Sequence, residues 1–561
     1  MFLLKKRFLG MIVLFILAIG FGACGGGSGG DDGTGRKFWA QNSATEKYYS
    51  LRADLMYEGT HCDVYVEQGL DLSKYTLTSS SLEDMAKKVA DEYDAGIYPK
   101  MIYTFSVRSI KNPVTNEIVD NVMDIADSMA DGDGKLTILI LDIQGASSGN
   151  AYVAGYFTPL NLYPNDTRID PILKYSNECD MIYLNIVTDP GNIESNMTLA
   201  HEMQHMMCFA TDVYARGFST VNGWDWNSMD LWINEGLSSA AEYVYSGKHN
   251  QERIKHYNDF NDFKSPSLIP YGNNFYVWGE RPDYILDEYA TVYLFFQWLR
   301  LQSSSTGLLS DYNIYKAIIS SKRSDRRAVL ESLAGKGNYS GDSTLVFGTV
   351  MLDWFAANCL KTDNTSNGTN GDTPKHGYMK DPGLNLDDGV WLVESTSGTT
   401  SKKEIKLYPG EGVYSKIDTT AYNASGGLTK HYKDDSGSDI EYAGVKNTAP
   451  CIVDSTNIYN GGFMITYNTN TTNKLTNIDL LLRKGFYVAD IVSTDTNFSL
   501  VNKPAFSAKA TISSSQPMTS LNMAVKSQKP KKPHAISMGD MLRMNGHKDS
   551  GNEVKNFSRV K

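Results

Sequence analysis

The chain has few of the residues that would place it in several common classes of protein. Six cysteines are spread over 561 residues without a Cys-x-x-Cys pair, so no disulfide framework is indicated, although one pair can form in an oxidising compartment. The 53 basic residues are outnumbered by 64 acidic ones, and the net charge of −11 argues against nucleic acid as a partner. Histidine is also scarce, at nine residues, and two of the nine lie four positions apart.

Long apolar runs are also lacking. The N-terminal run 8–23 follows three basic residues, is too short for a convincing membrane span and ends in small residues, as a signal peptide does. Its end, Phe21-Gly-Ala-Cys24, resembles a bacterial lipobox in which Phe21 replaces the usual Leu. The resemblance implies cleavage before Cys24 and lipid attachment to it, with the Gly-rich stretch 24–36 as a flexible tether. The alternative is a cleaved secretory signal with an incidental cysteine.

The two closely spaced histidines form an H-E-x-x-H motif in the stretch 199–210, which contains neither Pro nor Gly. In a helix, residues four apart share one face, so His201 and His205 point at the same place and make up half of a tetrahedral zinc site. Glu202 lies one step round the helix, where it can reach a water molecule at the metal and act as a general base. The alternative is two ordinary core or surface histidines.

A second motif follows 30 residues after His205, counted as 235 − 205. Asn234 and Glu235 precede an Ala-rich apolar helix, which resembles the third-ligand helix of the gluzincins, the thermolysin-like clan. The resemblance implies that the Glu235 carboxylate is the third zinc ligand and that the fourth position is left to water. Thermolysin-like enzymes have an Asp four residues later that supports a zinc histidine, but Ser239 stands here, and Glu242 is the candidate to replace it.

Several patterns predict the elements around these motifs. Ser80 and Glu83 fit a capping box for a helix starting at Leu82. The Leu- and Ile-rich stretch 135–143 reads as a central strand. The stretches 151–157 and 181–187 read as further strands, and the first of them is the expected sheet edge, where zincin-type peptidases hold a substrate as an added strand.

The acidic turn Asp131-Gly-Asp133-Gly before the central strand is a candidate calcium loop by its spacing of carboxylates. Lys135 occupies the place where a third oxygen ligand should fall, so the pattern favours an ordinary turn.

The helical stretch 287–301 carries Tyr289 and Tyr293 four residues apart. A metallopeptidase needs a donor that stabilises the oxyanion opposite the base, and either hydroxyl is a candidate. The alternative for both is an ordinary place in the core. Further helices are predicted at 311–322 and 345–360.

With both motifs in place, residues 51–301 resemble the hyicolysin-type secreted bacterial metallopeptidases, a gluzincin-like family. The resemblance rests on the zinc motif at His201–Glu202–His205, on Asn234-Glu235-Gly-Leu-Ser, and on moderately specific flanking pieces such as Ala154-Gly-Tyr-Phe. It implies that His201, His205 and Glu235 bind one zinc ion and that Glu202 is the base.

The expected fold class is α+β, a zincin-like catalytic domain with a mixed sheet and active-site helices, followed by a β-rich accessory domain. The predicted layout is a lipoprotein signal peptide at 1–23, a tether at 24–36, the sheet part of the peptidase at 37–190, its helical zinc-binding part at 191–360, a linker at 361–386, a β-sandwich-like accessory domain at 387–506 and a disordered basic tail at 507–561.

The sequence therefore predicts a zinc endopeptidase with a protein or peptide substrate, held at the bacterial cell envelope, in the outer membrane, by a lipid on Cys24. Two alternatives stay open. One is a surface adhesin or binding lipoprotein that keeps a zincin fold without turnover, which the Ser239 departure motivates. The other is an aminopeptidase, although no motif for holding a free amine is visible.

Overall fold

The computed structural model describes most of residues 35–384 and ten strand segments beyond them. The described ranges are 35–112, 115–148, 151–168, 170–212, 229–258, 285–343, 345, 347–360, 374–378, 381, 383 and 384, together with the strands after residue 391 given below. They fall into two compact units, 35–212 and the residues from 229 onward. The predicted signal peptide, Cys24 and the basic tail lie outside the described residues.

The first unit is built on a six-stranded mixed sheet. Its order is β1-β2-β3-β6-β10-β9, with β6 parallel to both β3 and β10, and β9 antiparallel to β10. The strands of this unit, including two short hairpins, are β1 (Arg36–Gln41), β2 (Tyr48–Glu58), β3 (Cys62–Glu67), β4 (Ile110–Lys111), β5 (Ile118–Val119), β6 (Leu136–Leu141), β7 (Ser147–Ser148), β8 (Ala151–Tyr152), β9 (Gly155–Phe157) and β10 (Met181–Asn185).

Burial explains why these segments form strands. All six residues of β6 are buried, as expected for a parallel strand covered on both faces, whose sequence is almost continuously apolar. In β3 the buried residues alternate as Cys62, Val64 and Val66, the pattern of a strand with one covered face. The prediction of a central strand is confirmed. The prediction of a sheet edge within 151–157 is also confirmed, because β9 ends the sheet.

In the described part of the first unit, four α-helices accompany this sheet. They are α1 (Leu82–Glu92), α2 (Tyr98–Phe105), α3 (Met123–Met129) and α4 (Ile193–Ala210). Helix α1 begins where the sequence predicts, but its N-cap is Ser81, whose hydroxyl accepts a hydrogen bond from the Asp84 amide at 3.0 Å. The N-cap is therefore one residue later than Ser80, whose own amide donates to the Asp84 carboxylate at 3.0 Å. Helix α4 is capped by Asn192 and packs against β9 and β10.

The second unit begins with helices. They are α5 (Leu231–Ser246), α6 (Gln251–Asn258), α7 (Ile285–Gln302), α8 (Ile314–Ser320), α9 (Arg326–Leu333) and α10 (Phe347–Leu360). The predicted helices at 287–301, 311–322 and 345–360 correspond to α7, α8 and α10. Within the described part of the chain, every helix is too short or too polar to cross a membrane.

After residue 391 the described residues of the second unit lie in strands. They are β11 (Leu392–Ser395), β12 (Lys406–Leu407), β13 (Gly412–Ile417), β14 (Thr429–Lys433), β15 (Asp439–Val445), β16 (Cys451–Ile452), β17 (Ile458–Tyr459), β18 (Gly462–Asn468), β19 (Thr476–Asn477) and β20 (Phe498–Leu500). Six of them form a sheet in the order β14-β15-β18-β13-β11-β20. The fold class is α+β, as predicted, whereas a separate accessory domain stays a prediction.

The segment 374–384, part of the predicted linker, is attached to α7. Trp298 and Gln302 donate side-chain hydrogen bonds to its backbone carbonyls at 3.0 and 2.9 Å. Asp381 forms an ion pair with Arg300 and lies 3.2 Å from the Nε2 atom of His249. These contacts hold described residues of this segment against α7, and the linker at 361–386 stays a prediction.

Candidate metal centre

The structure brings together the three residues predicted to bind metal. His201 and His205 lie one turn apart on α4, with ring centroids 4.8 Å apart, and Glu235 lies near the start of α5. One nitrogen of each imidazole and one carboxylate oxygen of Glu235 lie within 4.8 Å of one another. All three side chains are buried, at 1%, 3% and 0% exposed.

This donor set fits zinc. Two imidazoles and one carboxylate are the ligands of many catalytic zinc sites, which keep their fourth position open for water or substrate. Around a tetrahedral ion with bonds of about 2.0–2.1 Å, the ligand atoms are roughly 3.4 Å apart, so the 4.8 Å limit needs only small side-chain movements. Calcium and magnesium prefer sets made only of oxygen, which makes them poor candidates here.

The position of α4 follows from its sequence. Every residue from Ser195 to Ala210 is buried, so the helix runs through the core instead of covering it with one face. The Asn192 side chain accepts hydrogen bonds from the amides of Glu194 and Ser195 at 2.9 and 2.8 Å, which satisfies two amides that the helix itself leaves without partners. A capped helix that is packed on all sides holds its histidines in fixed positions.

The predicted base, Glu202, is held by the edge strand of the sheet. The backbone N–H of Phe157 on β9 donates a hydrogen bond to Oε2 of Glu202 at 3.0 Å, and the carboxylate is 7% exposed. Sequence reasoning found Glu202 but missed this contact, because it joins residues 45 positions apart. The contact orients the carboxylate and ties it to the strand predicted to receive a substrate.

A close approach of backbone and helix fixes β9 against α4. A Cβ atom added at Gly155 would lie 2.7 Å from the carbonyl oxygen of Tyr183 on β10 and 3.0 Å from Cγ2 of Thr198 on α4. Only glycine fits without displacing one of these groups. A glycine inside a strand pattern is itself a sequence signal of such an approach, so this contact was open to prediction.

The two residues weighed as support for a zinc histidine have other surroundings. Ser239 is fully buried, and its hydroxyl has no hydrogen-bond partner among the described residues. Glu242 is also buried, and its two carboxylate oxygens accept hydrogen bonds from Arg253 at 2.6 Å and from Asn250 at 2.7 Å. These contacts give Glu242 a structural function within the second unit, and its role toward the metal stays a prediction.

The two tyrosines proposed for the oxyanion also differ in their surroundings. The Tyr293 hydroxyl lies 2.8 Å from Nδ1 of His249 and accepts a hydrogen bond from the Asn250 amide at 3.2 Å. The ring of Tyr289 lies 4.7 Å below the Arg253 guanidinium, and its side chain is 5% exposed. The Tyr293 hydroxyl thus has two partners, and the oxyanion role stays a prediction for both tyrosines.

Comparison with known proteins points to the same chemistry. The chain is 26% identical to the neutral metalloprotease ShpI of Staphylococcus hyicus over 358 residues, which cover 62% of this chain and 66% of that protein. The match thus spans slightly less than two thirds of the relative's length. No protein-family model matches the chain. Together with the buried His201, His205 and Glu235, this similarity supports a metallopeptidase in general.

Proposed function

We propose that this protein is a zinc-dependent endopeptidase of the hyicolysin type. The observation that carries the proposal is the buried group of two imidazoles and one carboxylate, next to a glutamate held by the edge strand. The similarity to a neutral metalloprotease supports the same reaction class. His201, His205 and Glu235 hold the ion.

Glu202 acts as the general base. When bound, zinc supplies Lewis acidity and lowers the pKa of water to about 7. Glu202 takes a proton from the attacking water while the oxygen forms a bond to the scissile carbonyl carbon, and it then gives that proton to the leaving amine as the C–N bond breaks. The hydrogen bond from Phe157 keeps the carboxylate in one orientation through both proton transfers.

The side of β9 that faces away from β10 receives the substrate as an added strand. The Asn185 amide donates to the Ala154 carbonyl at 2.8 Å, so residue 154 directs its backbone groups toward β10. Backbone groups alternate sides along an antiparallel strand, so Gly155 and Phe157 direct theirs away from β10. The Phe157 N–H binds Glu202, which leaves the Gly155 groups to pair with a peptide directly beside the base.

The oxyanion receives a hydrogen bond from a tyrosine hydroxyl. Of the two candidates, we assign this function to Tyr289, whose ring lies 4.7 Å from the Arg253 guanidinium, a cation beside the proposed donor. Loss of one such donor costs about 100- to 1,000-fold in kcat, so Tyr289→Phe should lose far more activity than its small structural change would suggest.

The enzyme acts at the bacterial cell envelope, anchored in the outer membrane by a lipid on Cys24. The support is the sequence alone, namely the lipobox-like end of the apolar run and the glycine-rich stretch after it. Detergent phase partitioning of the expressed full chain tests this proposal. The parent should enter the detergent phase and Cys24→Ala the aqueous phase, whereas equal partitioning of the two would contradict the anchor.

The peptidase activity is tested with the zinc-loaded protein on casein and on quenched peptides. The parent is compared with Glu202→Gln and with Glu194→Gln, a matched change two turns earlier on the same helix. We expect internal cleavage by the parent and by Glu194→Gln, abolished by a chelator and restored by zinc. Glu202→Gln should keep its zinc and lose at least about 100-fold in kcat.

Each other outcome has a defined meaning. Full proteolysis by Glu202→Gln would show that Glu202 is not the general base. Release of single residues instead of internal fragments would favour an aminopeptidase. A folded, zinc-loaded parent that cleaves nothing would contradict the endopeptidase and favour the adhesin or binding lipoprotein.

A further inference from the structure

Four aspartates of the first unit come together away from the zinc motif. Asp127 lies on α3, Asp131 and Asp133 lie in the turn before β6, and Asp180 directly precedes β10. One carboxylate oxygen of each lies within 4.8 Å of the other three. We call these four residues the aspartate cluster. Its most distant member in sequence follows Asp133 by 47 residues, counted as 180 − 133.

The sheet topology places Asp180 beside the acidic turn. Strands β6 and β10 are parallel neighbours, and Met181 is paired with Thr137. The Thr137 amide donates to the Asp180 carbonyl at 2.9 Å, so the start of β10 lies next to the turn that enters β6. The aspartate cluster is therefore at the N-terminal end of β10, whereas α4 with the zinc motif follows its C-terminal end.

The buried carboxylates of the aspartate cluster lack the contacts that would compensate their charge. Asp180 is 2% exposed, yet its Oδ1 has no hydrogen-bond partner in the described part of the chain, and neither has the buried Oδ1 of Asp131. A buried ionised carboxylate without a partner is strongly unfavourable. In a native structure such a group requires an explanation, and an ion is one of the few available.

Lys135 and Arg36 do not neutralise the carboxylates of the aspartate cluster. The Lys135 ammonium lies 2.9 Å from Asp63 on β3, so it is directed away from the aspartate cluster. The Arg36 guanidinium lies over the rings of Phe38 and Tyr65, at 4.9 and 5.8 Å from their centroids. Burial, followed by repulsion from Asp133, raises the pKa of Asp131 to about 7 even though Arg36 lowers it.

We propose that the aspartate cluster binds one calcium ion that stabilises the first unit. A set made only of carboxylate oxygens suits a hard cation and not zinc. Calcium binds oxygen at about 2.3–2.6 Å, so ligands on opposite sides of the ion are up to roughly 5 Å apart, which matches the 4.8 Å limit. Magnesium needs shorter bonds and usually keeps several waters rather than filling an all-protein site.

Two of the ligands are already held in place by the backbone. Oδ1 of Asp127 accepts a hydrogen bond from the Gly134 amide at 2.8 Å, and Oδ1 of Asp133 accepts one from the Lys135 amide at 2.8 Å. The ion joins α3 and the turn that follows it to the start of β10, which lies 47 residues after Asp133, counted as 180 − 133. Its effect is on the stability of the sheet, independent of the proposed peptidase chemistry.

The experiment measures calcium binding to the full-length, zinc-loaded protein by equilibrium dialysis with radioactive calcium, alongside thermal unfolding. Asp180→Asn removes the buried ligand, and Asp133→Asn removes an exposed one, so at least one variant should fold. Asp124→Asn, on the same helix as Asp127 but outside the aspartate cluster, is the matched control.

We expect one calcium ion per parent chain at millimolar calcium or below, the same for Asp124→Asn, about tenfold weaker binding for Asp133→Asn and none for Asp180→Asn. Without calcium, Asp180→Asn should unfold at a temperature no lower than that of the parent, because the carboxyl group it replaces has a pKa raised by burial and an Oδ1 atom with no hydrogen-bond partner in the described part of the chain. With calcium, the parent should unfold at a higher temperature than Asp180→Asn. Absence of calcium binding by the folded parent, undiminished binding by Asp180→Asn, or binding of magnesium in preference to calcium would each overturn the proposal.

Discussion

Replacing Gly155 by alanine tests the link between the edge strand and the proposed base. The added Cβ would lie 2.7 Å from the Tyr183 carbonyl oxygen, whereas an ordinary carbon–oxygen contact is roughly 3.3 Å. Strand β9 must therefore move by about 0.6 Å. It cannot move freely toward α4, because Thr198 Cγ2 would already lie 3.0 Å from the new atom.

The consequence for Glu202 can be worked from the same geometry. The Phe157 N–H, two residues along β9, donates to Glu202 across 3.0 Å, so a shift of this size lengthens or tilts the bond beyond good geometry. A misplacement of 1 Å can cost about 100-fold in rate. Because the shift here is smaller, about 0.6 Å, we expect kcat to fall by about tenfold. Overpacking of this kind also lowers the free energy of unfolding by about 1–3 kcal/mol.

The assay is kcat on a quenched peptide, measured well below the unfolding temperature, with zinc content determined on the same sample. Hydrogen exchange of the Phe157 amide gives a readout that does not depend on the proposed activity, and it should become faster. Gly341→Ala is the control, because a Cβ at Gly341 has no neighbour within 4 Å. Unchanged kcat, exchange and unfolding temperature in Gly155→Ala would refute the reasoning.

Three further predictions concern other contacts. Gly236→Ala should weaken zinc retention, because the new Cβ would overlap the buried ring of Phe296 and push α5 away from α7; metal analysis after dialysis measures it. Glu242→Gln should lower the free energy of unfolding by about 3–5 kcal/mol, since Arg253 stays buried without its anion; denaturant unfolding measures it. Burial raises the pKa of Cys179 to about 12, so its thiol should react with alkylating reagents only after unfolding.

Each of these predictions has a result that would contradict it. Full zinc retention by Gly236→Ala would show that α5 tolerates the added methyl group. For Glu242→Gln, a loss below about 1 kcal/mol would mean that Arg253 finds another partner. Because the unfolded Cys179 thiol ionises near pH 9.0 and the folded one only near 12, the free energy of unfolding should fall as the pH rises above 9. A constant value there would contradict the raised pKa.

Contacts between residues close in sequence could be predicted. His201 and His205 share a helix face because of the 3.6-residue repeat, and that repeat needs no knowledge of the rest of the fold. The central strand β6 is visible because six consecutive buried residues leave an apolar run. The N-cap of α1 differs by one residue from the prediction, because Ser80 and Ser81 are both good caps and the choice depends on which hydroxyl reaches the Asp84 amide.

Most contacts between residues distant in sequence could not be predicted, and the meeting of Glu235 with the two histidines is an exception. Nothing local indicates that the Phe157 amide meets Glu202, since the sheet order brings β9 against α4. The acidic turn was set aside as a calcium loop because only neighbouring ligands were considered. In the structure Lys135 pairs with Asp63, and Asp180 arrives through the pairing of β6 with β10. The predictions for Cys24 concern residues outside the described chain.

The attachment of Asp381 to α7 has a consequence for synthesis of the protein. Arg300 is buried and its anionic partner lies 81 residues later, and His249 also faces that carboxylate. Until residue 381 has left the ribosome, Arg300 and His249 lack the Asp381 carboxylate that faces them in the folded protein. This unit therefore completes its folding late in translation, and a nascent or truncated chain ending before 381 is the form most exposed to quality-control proteases.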